Sequence, residues 1–430
     1  MLQWRRRHWI PPAALCVGQM AHGISWILLL VLATQRPFVL GLPALGWLHL
    51  VALGWLTMTA LAVLIHVIPT FTEVPWWGER MARTSLLFYG VGVTALVTAF
   101  WIRSVDALPW AGSLVALALV GYLIPAGRTL MAAFAQARLE AAIARALSIM
   151  LACLFVTALI GVGLAWALAG RGEASLLSYG PPIHASFGLI GWLTVLIMGV
   201  STRTVRPITG AGSRHPWAHI TAGALEICGL VAIAAGVALG APLMQWIGLI
   251  GVFVGALVYV GDLADVLQRA SVAHRPPQAF LAVGALWLVA GLGLSVGALA
   301  GEPWGAAALY LLLIGWIGQM MNGHLHHIGV RLIATMARGD DDETRPDELL
   351  VPALSWASFG LFQAAVAAGG LALMFSGRQL LTAAALAGLV GWIAMGTNVV
   401  IATRRARQQQ LPPASPTTIS LLLASTCDCG

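Results

Sequence analysis

Twelve separate apolar runs, each of about 20 residues or more, leave this chain few environments other than a lipid bilayer. They lie at roughly 11–34, 42–68, 84–103, 107–127, 142–169, 181–203, 217–240, 243–267, 277–300, 304–335, 350–376 and 380–403. A run of that length crosses the hydrocarbon core as one helix, because only a helix satisfies its own backbone polar groups there. Charged residues make up 9% of the 430-residue chain, against about a quarter in soluble domains. That deficit excludes a soluble enzyme, a nucleic-acid binder and a disordered protein. The first run is too long for the core of a cleaved signal peptide. The expected fold is all-α, a polytopic membrane protein of about twelve transmembrane helices.

The arginines set the expected orientation. The 23 basic residues are all Arg. With the N-terminus inside, Arg5, Arg6, Arg7, Arg80, Arg83, Arg128, Arg138, Arg145, Arg206, Arg214, Arg269, Arg275, Arg331, Arg338, Arg345, Arg404, Arg405 and Arg407 fall at or near the inner face. Only Arg36, Arg103, Arg171 and Arg378 fall outside. The positive-inside rule demands this asymmetry, and one missed span would scramble it. Both termini are therefore expected in the cytoplasm and the chain in the inner (plasma) membrane. Residues 1–407 read as a single transmembrane domain and 408–430 as a disordered tail. The basic pI of about 9.7 then needs no polyanionic partner. The acidic segment from Arg338 to Glu348 lacks the spacing of a calcium loop and reads as a solvated connection. The five cysteines form no disulfide framework, and the Cys427-Asp-Cys429 ending is a weak metal motif.

Histidine is the informative residue. Polar side chains are costly in a membrane, so each tends to have a partner or a task. His8, His215 and His274 fall in basic loops, whereas His22, His49, His66, His184, His219, His324, His326 and His327 fall within spans or at their edges.

Three spans look like copies. The second reads Gly54-Trp55-Leu56-Thr57, the sixth Gly191-Trp192-Leu193-Thr194 and the tenth Gly315-Trp316-Ile317-Gly318. Twelve residues beyond each Gly stand His66, Arg203 and His327. Upstream of the Gly stand His49, His184 and Tyr310. Spans four apart in order, all running in one direction, are expected of three pseudo-repeated four-helix units. The tenth span also carries Met320-Met321-Asn322-Gly323-His324-Leu325-His326-His327. At 100° per residue His324 and His326 point to nearly opposite faces. His324 and His327 share a face with Met320, a donor set suited to haem iron or copper. Gly323 would let a flat macrocycle approach the backbone. Each of these histidines also has a plainer reading as a hydrogen-bonded structural residue.

Glu226 falls near the middle of the seventh span, seven residues from His219, and is a candidate proton carrier. Asp262 and Asp265 at the end of the eighth span read as caps or Arg partners. Arg203 would neutralise a haem propionate or serve topology alone.

Twelve helices with both ends inside and His on the second, sixth and tenth resemble the catalytic subunit of the haem–copper oxidase and nitric oxide reductase superfamily. The segments His49-x4-Gly54-Trp55…His66-Val67-Ile68-Pro69 and His184-x6-Gly191-Trp192…Gly199-Val200-Ser201-Thr202-Arg203 are also similar to NnrS-type proteins, haem- and copper-containing membrane proteins linked to nitric oxide metabolism. The resemblance implies three four-helix arcs and haem b, with copper as a second metal. It matches His49 to the second-helix haem ligand, His324 and His326 to the tenth-helix pair, and His184 loosely to a sixth-helix ligand. The chain departs from the oxidases in lacking an adjacent His pair on the seventh span and a His-Pro-Glu-x-Tyr run on the sixth.

The expected function is that of a membrane haem, or haem and copper, protein acting in redox chemistry or in handling nitric oxide or oxygen. His49, His184, His324, His326, His327 and Arg203 are its candidate cofactor contacts. His49, His66, His184, His324, His326 and His327 are its candidate metal ligands. Its partners would be the lipid bilayer, a diatomic gas and an electron-donating protein or quinol, with no nucleic acid. Two alternatives stay open: a proton-coupled or metal transporter, in which intramembrane His and Glu serve ion relays, and a non-catalytic assembly subunit that keeps the fold.

Overall fold

The structure is a computed structural model that describes residues 10–34, 41–136, 141–339 and 344–408. Arg5, Arg6, Arg7, His8, Arg36, Arg138, Cys427, Cys429 and the tail from 409 lie outside the described residues. Among the described residues every regular element is helical. Twelve helices are long and apolar enough to cross a membrane: α1 (Pro12–Thr34), α2 (Leu42–Thr72), α3 (Glu79–Trp101), α4 (Leu108–Ala135), α5 (Arg145–Leu168), α6 (Leu176–Thr209), α7 (Pro216–Ala238), α8 (Pro242–Gln268), α9 (Arg275–Leu299), α10 (Gly305–Ala337), α11 (Pro352–Phe375) and α12 (Arg378–Gln408). A single turn, Pro346–Leu349, precedes α11.

Several helices run past their expected limits. α6 begins at Leu176 rather than 181, and Pro181 and Pro182 lie inside it. Proline is tolerated there because packed neighbours in a membrane bundle re-satisfy the freed carbonyls. α3 starts at Glu79, and α12 continues to Gln408 as an amphipathic extension whose Ala402 and Ala406 pack on Val330 and Ala334 of α10.

α1 packs on α2 and α12, α4 on α5, and α8 on α9, so the chain closes into a ring. α2, α6 and α10 are the longest or near-longest helices, at 31, 34 and 33 residues. At 1.5 Å per residue they measure roughly 47–51 Å, well beyond a hydrocarbon core of about 30 Å. α2 and α10 are also the most enclosed. The outward surface is apolar, with Leu87, Leu117, Met131, Leu239, Leu243 and Phe375 exposed. Such a surface suits lipid rather than water.

The three similar sequences share an unusual backbone. Leu50–Thr57 in α2, Phe187–Thr194 in α6 and Leu311–Gly318 in α10 are each wound as π-helix over eight residues. Each stretch ends on the fourth residue of its Gly-Trp motif. These windings bring the tryptophans into a relay. Trp192 Nε1 donates to Thr57 Oγ1 at 3.0 Å, and Trp316 Nε1 donates to Thr194 Oγ1 at 3.1 Å. The third position of the pattern is Gly318, which has no hydroxyl. There Trp55 lies directly against the α10 backbone, so close that a Cβ on Gly318 would come within 2.8 Å of Trp55 Cη2.

Peripheral aromatics tie this centre together by donating to carbonyls: Tyr89 to Leu53, Tyr122 to Leu61, Tyr310 to Ala365, Trp47 to Ser25 and Trp392 to Gln19. In hydrocarbon each such bond removes a polar group that water would otherwise have to reach.

Candidate histidine sites

His49 is the last residue before the π-helical stretch of α2, and His184 lies two residues before the residue that precedes the stretch in α6. The two rings are neighbours across the α2–α6 boundary, with centres 6.2 Å apart and planes inclined by 25°. His49 Nδ1 is 2.8 Å from Leu45 O, and His184 Nδ1 is 3.0 Å from Thr157 O on α5. A carbonyl only accepts, so in both neutral rings Nδ1 carries the proton and Nε2 keeps its lone pair. Histidines that ligate a metal are held in this way, with the second nitrogen donating to a carbonyl that fixes tautomer and ring angle.

Phe100 of α3 covers His49 at 5.0 Å between ring centres. Gly161 of α5 leaves the space for His184, since a Cβ there would stand 2.9 Å from His184 Cε1. Phe100 and Thr157 carry no local signal in the sequence, and Gly161 has only the Gly161-Val162-Gly163 interruption of the fifth span.

On α10 His324 and His326 diverge. A further π-helical stretch, Leu325–Gly329, widens the turn here. His324 faces α6, where its Nε2 lies 2.9 Å from Thr204 Oγ1, and its Nδ1 lies 2.7 Å from Met320 O. Both of its nitrogens are thus engaged. His326 faces α9, its ring 5.1 Å from that of Phe280. Its Nδ1 lies 2.8 Å from Asn322 O, and its buried Nε2 has no hydrogen-bond partner.

Met320 does not join His324. Its sulfur packs toward Gly284 on α9. Gly323 serves helix packing: a Cβ there would stand 3.0 Å from Phe280 Cβ and 3.1 Å from Pro277 O. The close approach expected of a macrocycle at Gly323 is made by α9.

His274 is not a loop residue free in solvent. It is buried at the N-terminus of α9, and its Nδ1 is without a partner. Burial pushes its pKa down to about 4; the nearby His326 and His327 act in the same direction and Asp347 opposes them. His327 is half-buried with Nδ1 also unpartnered.

The other predicted residues are scattered. His66 is half-buried on α2, and its carbonyl accepts from Thr70 Oγ1. Arg203 is exposed on α6. His22 is fully buried on α1 and stacks face to face on Trp55, centres 3.5 Å apart and planes within 3°. Neither of its nitrogens has a hydrogen-bond partner. Glu226 on α7 is fully buried, and both of its carboxyl oxygens lack a partner. Asp265 pairs with Arg269 as expected, whereas Asp262 takes His219 instead of an arginine, at 3.0 Å.

Among the described residues no three His, Cys, Asp or Glu side chains converge tightly enough to hold a bare metal ion. A haem asks less of a protein, because its macrocycle supplies four nitrogens and leaves one or two axial positions. No known family model matches this chain, and no curated protein matches it.

Proposed function

We propose that this polytopic helical protein binds a b-type haem between α2 and α6, where His49 and His184 would hold it. The supporting observation is their proximity, with Nε2 left free of the carbonyl bond in each ring. A bound haem would need imidazole nitrogens from the protein, and neighbouring helices would supply two here. His49 and His184 stand 6.2 Å apart with both Nδ1 atoms tied to carbonyls. Leu45 and Thr157 hold the two rings in the tautomer that ligation requires, and Phe100 helps to exclude water from His49.

A bound haem supplies one-electron chemistry and, where an axial position opens, a binding position for nitric oxide or oxygen. His326, with its unpartnered Nε2, is the α10 residue best disposed to a second cofactor. His324 serves chiefly to fasten α10 to α6 through Thr204. Glu226, buried with both carboxyl oxygens unpartnered, is the candidate proton carrier within the bundle. An electron-donating protein or quinol completes the redox reading, and the Arg distribution supports an inner-membrane location with cytoplasmic termini. The shared Gly-Trp motifs, their matched π-helical windings and the closed ring of neighbours support descent from three four-helix units.

The deep polar column of His219, Asp262 and Glu226 favours a second reading, a proton-coupled transporter. A pyridine haemochrome assay on protein purified from haem-replete cells separates the two. Haem in near-stoichiometric amount, lost in His49→Ala and in His184→Ala, supports the first. Haem-free wild-type protein supports the second.

A further inference from the structure

α7 and α8 are in backbone contact. A Cβ on Gly229 would fall 2.5 Å from Gly248 O, and one on Gly248 would fall 2.6 Å from Gly229 O. Polar groups are costly along so tight a seam, yet one end of it carries several. His219 Nε2 lies 3.0 Å from Asp262 Oδ2, and Ser213 Oγ donates to Asp262 Oδ1 at 2.7 Å. These side chains, with Tyr259 and with Ser201 and Thr202 of α6, line a cavity of about 20 Å³. That is room for one water-sized molecule with several polar neighbours. Arg206 also lines the cavity. Arg269 closes its rim by donating to Gly212 O at 2.9 Å and pairing with Asp265, and Arg214 and His215 are exposed nearby.

The helices are antiparallel, and their pairing places Glu226 deeper along the same seam. Seven residues separate His219 from Glu226 on α7, and seven separate Asp262 from Gly255 on α8. A Cβ on Gly255 would lie 3.4 Å from Glu226 N, so both helices advance together by about 10 Å from the cavity to the carboxyl group. Tyr259 stands between these two levels, beside Ser201 and near Asp262. His219 Nδ1 is buried and unpartnered, as are both Glu226 oxygens.

We propose that this cavity is the mouth of a proton-uptake route that loads Glu226 from the end of the bundle carrying the 210–215 loop. A proton from solvent adds to the His219–Asp262 pair through the cavity. The pair regains its starting charge when a proton moves on to the Glu226 carboxylate, which becomes the neutral acid. The Tyr259 hydroxyl accepts one proton as it donates another, so it relays without net ionisation. The route rests on Glu226 being the proton carrier of the functional reading and does not depend on haem ligation by His49 and His184.

The test is infrared spectroscopy of the full-length protein in lipid, following the carbonyl stretch of a protonated carboxylic acid as H2O is replaced by D2O. Glu226→Gln should remove the band. Tyr259→Phe and Asp262→Asn should leave it but slow its deuterium shift by tenfold or more. Tyr259→Phe keeps the ring and its packing, which guards against simple misfolding. Unchanged exchange in both variants, or a band that survives Glu226→Gln, overturns the route. Haem content is read on the same samples: normal exchange in haem-free protein would sink the haem reading alone.

Discussion

Trp192 Nε1 donates to Thr57 Oγ1 across 135 residues of chain, joining α6 to α2 at the end of two matched π-helical stretches. Trp316 repeats the bond onto Thr194 and joins α10 to α6. Both indole N–H groups are buried, and these hydroxyls satisfy them. Thr57→Val or Thr194→Val should therefore cost about 1–2 kcal/mol, the penalty for a buried donor left unmade. Thermal or detergent-induced unfolding measures it. Adding Trp192→Phe to Thr57→Val should cost little more than Trp192→Phe alone, because the donor is already gone.

Gly318 sets the opposite expectation. Restoring the motif's threonine there looks like completion of a three-membered relay. The space is taken by Trp55, whose ring is held on its other side by His22. Even Gly318→Ala should destabilise by about 1–3 kcal/mol through overpacking. A melting temperature equal to that of the parent protein would show that the Trp55–His22 stack yields.

Gly161 links the wall of the bundle to a proposed haem ligand. A methyl group at 161 would press on His184 Cε1 and turn the ring away from His49. Gly161→Ala should lower haem retention severalfold, with a smaller loss of thermal stability than Thr57→Val. Haem-to-protein ratio after size-exclusion chromatography, beside a melting curve, checks both halves.

Much of the architecture was legible in the sequence because a bilayer permits so few solutions. All twelve spans follow from run length alone, and the errors fall at ends such as Leu176, where Pro181 and Pro182 sit inside a helix instead of starting it. The likeness of α2, α6 and α10 was visible in their Gly-Trp motifs. Its physical content was not: π-helical winding and the Trp-to-Thr bonds arise from packing between helices far apart in sequence. His324 and His326 were expected on opposite faces, and they do face α6 and α9. Met320 and Gly323 were assigned to a cofactor although α9 occupies that space, since a sequence does not say which neighbour fills a groove. His274 and Asp262 looked unremarkable because burial at a helix end is decided by the tertiary fold. The pairing of His49 with His184 had no local signal beyond their similar places before the two motifs.

The most direct measurement is the reduced-minus-oxidised visible spectrum of detergent-purified protein, compared across wild type, His49→Ala, His184→Ala and His324→Ala. Haem ligation by His49 and His184 predicts sharp low-spin bands in the wild type. It predicts their loss or conversion to high-spin bands in each of the first two variants, and their persistence in His324→Ala. Bands that survive both His49→Ala and His184→Ala would contradict it.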